Sequence, residues 1–520
     1  MRDRREPLSP QERARIVERG LPRPAEDAAF VHGVTRVALE DLGAVHFVGI
    51  GGAGMSAVAR ILAARGVTVS GSDAQDSESL RGLQPLGIRT FVGHDAAHLA
   101  GVDTVVVSTA IRPSNPEFAA ARRLGLRIVH RSMALAAGAD GLETIAVAGT
   151  HGKTTTTSMA AVMLTEAGED PSFAVGGAVA GLGANARAGS GRRFVLEADE
   201  SDGSYVNYVP RVAIVTNLEP DHLDFYGDAE GVTRSFDAFV ELLEPESALV
   251  ACADDPGSAA LAERHREGTR VRTYGYAEDA DVRVLSTEPE GGGTRSILAF
   301  TVDGFESEQE LRLAVPGRHN VLNAAAAFAA GLELGLDPEQ CAEGLAAFRG
   351  ASRRFELKGE AGGVRVYDDY AHHPTEVVAA VAGARNVAQG GRVLAVFQPH
   401  LYSRTLAFAQ EFAEALDGAD LALVLPVYRA REDERDDVTA STVTDLGGAS
   451  QEPVDTPEEA VRRIAAEAQP GDIVMTIGAG DVTRLGPQIV EALGRGGARP
   501  GASTPADETG SGEGPREDQA

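Results

Sequence analysis

A chain of 520 residues is too long for one hydrophobic core, and about three domains is the expectation. With 77 acidic against 48 basic residues, a formal charge of −29 leaves no basic face for nucleic acid. Two cysteines without disulfide or metal-ligand spacing, no run of about 18 apolar residues and a charged N-terminus argue against a disulfide scaffold and membrane insertion; a cytoplasmic protein is expected.

Residues 1–42 are rich in Arg, Glu and Pro. A helix is expected around Gln11–Arg19, on an N-terminal extension that lies outside the folded body and is flexible. The first domain, 43–141, opens with a strand over Val45–Ile50 that runs into Gly49-Ile50-Gly51-Gly52-Ala53-Gly54 and then a helix from Met55 and Ser56 to Arg65. A strand over Val67–Gly71 ends at Ser72-Asp73, and further strands are expected at Thr104–Ser108 and Arg127–Val129. The alternation predicts a Rossmann-like unit. Its glycines would let backbone amides approach a diphosphate at a helix N-terminus, of which NAD is only one example. Asp73 would either accept from a ribose hydroxyl or cap the next segment.

The central domain, 142–350, carries the strongest signal. Ile145–Ala148 reads as a buried strand, Gly149-Thr150-His151-Gly152-Lys153 as a Gly-bounded turn, and the run from near Thr154 and Thr155 as a helix. Strand, Gly-rich turn and Gly-Lys-Thr form a phosphate-gripping P-loop with Gly-x-x-Gly-Lys-Thr spacing. Lys153 would supply a point charge for the phosphates and Thr154 a hydroxyl for Mg²⁺. Two later strands end in acidic runs: Arg193–Leu196 before Glu197-Ala198-Asp199-Glu200, and Val212–Thr216 before Asn217-Leu218-Glu219-Pro220-Asp221-His222. If both lie parallel to the P-loop strand, their carboxylates and His222 converge on the phosphates; Glu197 is a suitable oxygen ligand for Mg²⁺. Gly291–Leu313 is β-rich, and an Ala-rich helix then begins near Asn320 and Asn323, which would cap it or read a base edge.

The third domain, 351–495, alternates again. Val364–Tyr367 precedes Asp368-Asp369-Tyr370-Ala371-His372-His373, and Val393–Phe397 precedes Gln398-Pro399-His400-Leu401-Tyr402-Ser403-Arg404. Strands at Leu421–Leu425 and Ile473–Ile477 complete a second Rossmann-like unit. Residues 496–520 have no apolar face and are expected to be disordered.

Across residues 43–495 these stretches resemble the Mur ligase family. The likeness rests on His46–Ser56, Ala148–Thr155, Glu197–Ser204, Asn217–Asp224, Pro316–Asn323, Arg353-Arg354-Phe355, Asp368–Glu376 and Phe397–Thr405. It implies an α/β fold of three domains: a Rossmann-like UDP-binding domain, a central P-loop domain with a mostly parallel sheet, and a C-terminal Rossmann-like amino-acid domain. The implied activity is ATP- and Mg²⁺-dependent amide-bond formation between UDP-N-acetylmuramate and L-alanine in peptidoglycan precursor synthesis, by a monomer or weak homodimer.

Carried over by motif, Gly149, Thr150, His151, Gly152, Lys153, Thr154 and Thr155 would hold the ATP phosphates. Asn320 and Asn323 would hold the base; Arg354 (or Arg353) and an Asp of the Asp368–Asp369 pair would reach ATP from the third domain. Thr154, Glu197 and His222 would order magnesium. Gly49, Gly51, Gly52, Gly54, Met55, Ser56, Asp73 and Ser108 would hold the UDP part. Tyr370, His372 and Arg404 would frame the alanine. Lys153, Glu197, His222, His372 and Arg404 form the implied catalytic set. The family often has Arg where this chain has Leu401. The rivals are a ligase using a tripeptide as amine donor, a nicotinamide oxidoreductase built on Gly49–Gly54, and a nucleotide switch.

Overall fold

The structure, a computed structural model, describes residues 7–22, 37–388, 390–430 and 432–496. Three sheets follow one another along the chain. The first is five-stranded and wholly parallel, in the order Arg89–Val92, Val69–Asp73, Val45–Val48, Thr104–Val107, Arg127–His130. Strand succession reverses direction at Val45–Val48, so the turn Gly49–Gly54 sits at the switch point where such sheets open a ligand crevice. Val45–Val48 and Thr104–Val107 are buried throughout, as short apolar runs covered by helices on both faces should be.

The central sheet has ten strands. At its heart the P-loop strand Glu143–Ala148 lies between Arg193–Glu197 and Val212–Val215, parallel to both. The two acidic runs are therefore delivered to the same sheet edge as the Gly-rich turn. The expected β-rich stretch is three long antiparallel strands, Val282–Glu290, Gly293–Val302 and Phe305–Leu313, which extend this sheet at one end. The third sheet has six strands, in the order Glu356–Ala361, Val364–Asp369, Ile473–Ile477, Val393–Phe397, Leu421–Val424, Gln451–Pro453. Only Glu356–Ala361 pairs antiparallel.

One expectation is overturned. The helix near the N-terminus spans Pro10–Gly20 and is docked onto the folded body rather than lying outside it. Val17 and Leu21 are buried in one cluster with Val232, Phe236 and Phe239, the last three belonging to the helix Ala229–Glu241. Gly20 abuts that helix so closely that a Cβ would come within 2.3 Å of the Ala238 Cβ. Arg13 pairs with Glu244 at 2.5 Å, and Arg19 pairs with Glu241. Residues 23–36 of the expected extension, and 497–520 of the expected disordered tail, lie outside the described residues.

Candidate active site

The Gly-rich turn is closed by glycines that no other residue could replace. Gly149 has φ +131° and Gly152 φ +80°. A Cβ on Gly149 would lie 2.1 Å from Thr216 Oγ1, and one on Gly152 would lie 2.7 Å from Asn323 Oδ1. The turn feeds the helix Lys153–Glu166, whose first backbone amides face the turn. Lys153 Nζ donates to the carbonyls of Gly149 (2.6 Å) and Thr150 (3.1 Å) and to Glu200 Oε1 (2.8 Å). Burial opposes its charge, but Glu200 and Asp199 outweigh burial and raise its pKa. The ammonium is thus fixed as a cation at the mouth of the loop.

Thr154 Oγ1 donates to Glu197 Oε1 at 3.1 Å, while the Gly176 amide holds Glu197 Oε2 at 2.8 Å. A hydroxyl and a carboxylate side by side at a sheet edge are the hard oxygen donors Mg²⁺ takes, so the residues present fit that ion. The third expected ligand, His222, approaches two other carboxylates. Its Nε2 lies 3.7 Å from Glu200 Oε1 and 3.6 Å from Asp221 Oδ2, and it holds a positive φ of +54°. Burial lowers its pKa, but Glu200 and Asp221 outweigh it and the imidazole titrates higher than usual. Glu200, which the sequence offered only as one member of an acidic run, is the residue that links Lys153 to His222.

A cavity of about 780 Å³ opens between the central and third sheets. Its lining includes His151, Gly152, Thr155, Asn320, Asn323 and Arg354, with Asp369 opposite. Asn320 Nδ2 donates to the Pro316 carbonyl at 2.6 Å, and Asn323 Oδ1 accepts from Thr156 Oγ1 at 3.2 Å. Neither caps the helix Arg318–Glu333, whose N-terminal flank is Gly317. His319, not singled out from sequence, is half-buried near Arg354, and desolvation holds its pKa down at about 4.

The structure separates the two residue pairs that sequence left ambiguous. Arg354 lies 3.4 Å from Glu376 and faces the cavity. Arg353 pairs with Asp368 at 3.2 Å and donates to the Gly478 carbonyl. Asp368 is fully buried and also accepts from Thr476 and Thr483 at 2.7 and 2.8 Å. Its carboxylate is consumed inside the domain, so Asp368 leaves the expected ATP set. Asp369 lines the cavity and accepts from the Phe355 and Ala371 amides, both at 2.8 Å; burial raises its pKa to about 6.

A second cavity, about 310 Å³, gathers Asp221, His222, His372, His400, Leu401 and Arg404. Arg404 Nη2 donates to both Asp221 oxygens, at 2.8 and 3.1 Å, across the seam between domains. His372 Nδ1 sits 3.1 Å from Glu376. Tyr370 is absent from this lining; Arg353 and Arg354 stack over its ring at 4.7 and 5.5 Å. Its expected contact with the amino acid is therefore replaced by one with the two arginines. Leu401 holds φ +69°, a region that costs a branched residue energy and that recurs at functional sites.

In the first domain Asp73 accepts from the Gly51 amide at 2.9 Å, so it braces the Gly-rich loop itself. Met55 and Ser56 are buried, Ser56 donating to the Ala53 carbonyl. Ser108 is half-buried at the end of its strand. Arg131, missed from sequence, lies 3.0 Å from where a Gly54 Cβ would be and bonds Asp199 at 2.9 Å. It joins the first Gly-rich loop to the acidic run of the second domain. Among the described residues no helix is long and apolar enough to cross a membrane.

Comparison with known proteins places this geometry. Three family descriptions match in succession: "Mur ligase family, catalytic domain" over residues 44–141, "Mur ligase middle domain" over 147–331, and "Mur ligase, glutamate ligase domain" over 353–480. The chain is 56% identical over 460 residues to a protein of Paenarthrobacter aurescens named UDP-N-acetylmuramate–L-alanine ligase, covering 88% of this chain and 98% of that one. Among solved structures, the UDP-N-acetylmuramate-alanine ligase MurC of Thermotoga maritima is similar with TM-score 0.71 at 30% identity, covering 86% and 99% of the two chains. A murein peptide ligase of Psychrobacter arcticus is similar with TM-score 0.63 at 26% identity, covering 87% and 99%. On this evidence the chain belongs to the Mur ligase family.

Proposed function

We propose that this chain joins L-alanine to the lactyl carboxylate of UDP-N-acetylmuramate, with conversion of ATP to ADP and phosphate, in cytoplasmic synthesis of the peptidoglycan precursor. The observation that carries the choice of substrates is the 56% identity, over nearly its whole length, to the relative named for that reaction. The geometry supplies reasons for each step. A carboxylate and an amine do not condense at neutral pH, so the carboxylate must first become a better acyl donor. The carboxylate attacks the γ-phosphate, and Lys153, held beside the loop, offsets the charge that two approaching anions concentrate. Thr154 and Glu197 are the residues that would hold Mg²⁺, which when bound neutralises phosphate charge.

The acyl phosphate passes to the alanine amine, and a tetrahedral intermediate expels phosphate. Arg404 is the partner for the alanine carboxylate, and His372 and His222 border the same cavity. Asn320, Asn323, Arg354 and Asp369 take the nucleotide in the larger cavity. The Gly49–Gly54 loop takes the UDP diphosphate, with Arg131 between it and Asp199. Domain boundaries near residues 43, 142 and 351 fit this division of labour, and burial of the seam excludes water that would hydrolyse the intermediate.

Phosphate release in the presence of ATP and UDP-N-acetylmuramate tests the reading. L-alanine should stimulate release far more than glycine, L-serine or a tripeptide; preference for the tripeptide would assign the chain to the rival ligase. Lys153→Ala should reduce alanine-dependent release by on the order of 10²–10³-fold while UDP-N-acetylmuramate binding persists.

A further inference from the structure

Beside the phosphate grip, side chains from three separate motifs meet at the seam between the central and third sheets. His151 belongs to the Gly-rich turn, Glu219 to the loop after Val212–Val215, and His373 to the turn before the helix Pro374–Ala388. One donor atom of each lies within 4.8 Å of the other two. His151 Nε2 is 3.4 Å from Glu219 Oε2, and His373 Nδ1 is 4.0 Å from the same oxygen. The two rings face each other with centroids 4.6 Å apart.

The hydrogen bonding of these imidazoles is unusual. The His373 side chain is only 7% exposed, yet neither of its ring nitrogens has a hydrogen-bond partner. His151 Nε2 likewise makes no well-formed hydrogen bond, its approach to Glu219 Oε2 at 3.4 Å being an ion-pair contact. Buried imidazole nitrogens ordinarily find partners, since an unmade bond there costs about 1–3 kcal/mol. Here the unpartnered nitrogens converge on a single carboxylate oxygen. Behind them stands a supporting layer: Glu376 Oε1 is 3.4 Å from His151 Nδ1, and Thr375 Oγ1 donates to Glu219 Oε2 at 3.0 Å. A carboxylate on the far nitrogen of a ligating histidine is the outer arrangement that zinc sites use to fix tautomer and ring orientation.

We propose that His151, Glu219 and His373 form a binding site for a zinc-class divalent cation that bridges the phosphate loop and the C-terminal domain. Donors bound at about 2.0–2.1 Å around a tetrahedral ion lie roughly 3.3 Å apart. The 3.4 Å separation already matches, while the 4.0 Å one and the His151–His373 pair, within 4.8 Å, close on the ion through rotation of the His373 ring. Two imidazoles and one carboxylate select Zn²⁺ over Mg²⁺, which takes oxygen ligands. Glu219, 30% exposed, gives the ion a route in and leaves water the fourth position. The site is separate from the Thr154–Glu197 oxygen pair and stands independently of the proposed reaction. Because His151 and His373 belong to different domains, an ion bound between them ties the phosphate loop to the C-terminal domain.

The test uses the full-length chain without nucleotide and with Mg²⁺ in excess. Co²⁺ is titrated and followed by visible absorption, and Zn²⁺ is then added as competitor. The expected result is one equivalent of Co²⁺ with the intense bands of a low-coordinate nitrogen and oxygen site, displaced by Zn²⁺. His373→Ala and Glu219→Gln, each checked for folding by circular dichroism, should weaken binding by at least about tenfold; Thr154→Ala should leave it intact. If His373→Ala fails to fold, His373→Gln takes its place. Absence of Co²⁺ binding in excess Mg²⁺, binding unaffected by the His373 and Glu219 changes, or loss with Thr154→Ala would each overturn the site.

Discussion

Glu117 has no solvent exposure, yet its carboxylate is held by His94 at 3.0 Å, His98 at 2.7 Å and Ser72, with His46 Nε2 at 3.5 Å. Burial favours the neutral acid, but the bonds from His46, Ser72 and His98 outweigh it and bring the pKa from 4.5 down to about 2. A depressed carboxylate contributes its stability in full above its unfolded pKa and loses it as pH falls through the folded one. The loss therefore falls between pH 4.5 and about 2. Glu117→Gln should lower stability at pH 7 by about 1–3 kcal/mol, because one of the two acceptor oxygens is replaced by an amide NH₂, and should flatten the acid limb of a denaturation–pH profile. An unchanged acid limb would show that the cluster does not act as one unit. Residue roles were unevenly legible in the sequence. Lys153, Thr154 and Glu197 followed from local pattern, and the last two do touch. Asp368 and Asp369 could not be told apart, since neighbours on a strand face opposite ways and only the packed third domain decides which side is sealed. Arg131 and Glu200 gain their partners from other elements, at separations of 68 and 47 residues, which no window on the sequence spans.

At the scale of elements, the P-loop unit was readable because apolar run, glycines and helix follow one another without a gap. The order of strands around it was not: that Glu143–Ala148 lies between Arg193–Glu197 and Val212–Val215 depends on right-handed crossovers closing at long range. The N-terminal helix was readable as a helix but not as a docked one. Its apolar signal is short, Ile16, Val17 and Leu21 among charges, and the surface it covers is on a helix more than 200 residues away, Arg13 and Glu244 being 231 apart. Val17→Ala should cost about 1–2 kcal/mol in urea denaturation. A stability equal to that of the parent would mean the helix does not dock in solution.

For the whole molecule, function depends on three domains meeting. Arg131 with Asp199 ties the first to the second, and Arg404 with Asp221 ties the third to the second, both members of the latter pair being 8% exposed. Burial works against the Asp221 charge, but His222 and Arg404 hold its pKa below the usual carboxylate range. The guanidinium is thus held by a carboxylate of the central domain, so on the proposed function the amino-acid cavity exists only where the two domains meet. Arg404 lines this cavity beside Leu401 and supplies its guanidinium. Arg404→Ala should raise the KM for L-alanine roughly 10- to 100-fold, the worth of a hydrogen bond to a charged group, with a much smaller change for ATP. Equal changes in both would place Arg404 in general closure instead. The central claim, that the substrate carboxylate is activated by phosphorylation at the P-loop and then trapped by the amine, is open to a direct measurement. UDP-N-acetylmuramate labelled with ¹⁸O in its lactyl carboxylate is turned over with ATP and L-alanine, and the released phosphate is analysed by mass spectrometry. One labelled oxygen in each phosphate is the predicted result; phosphate free of label would contradict the account.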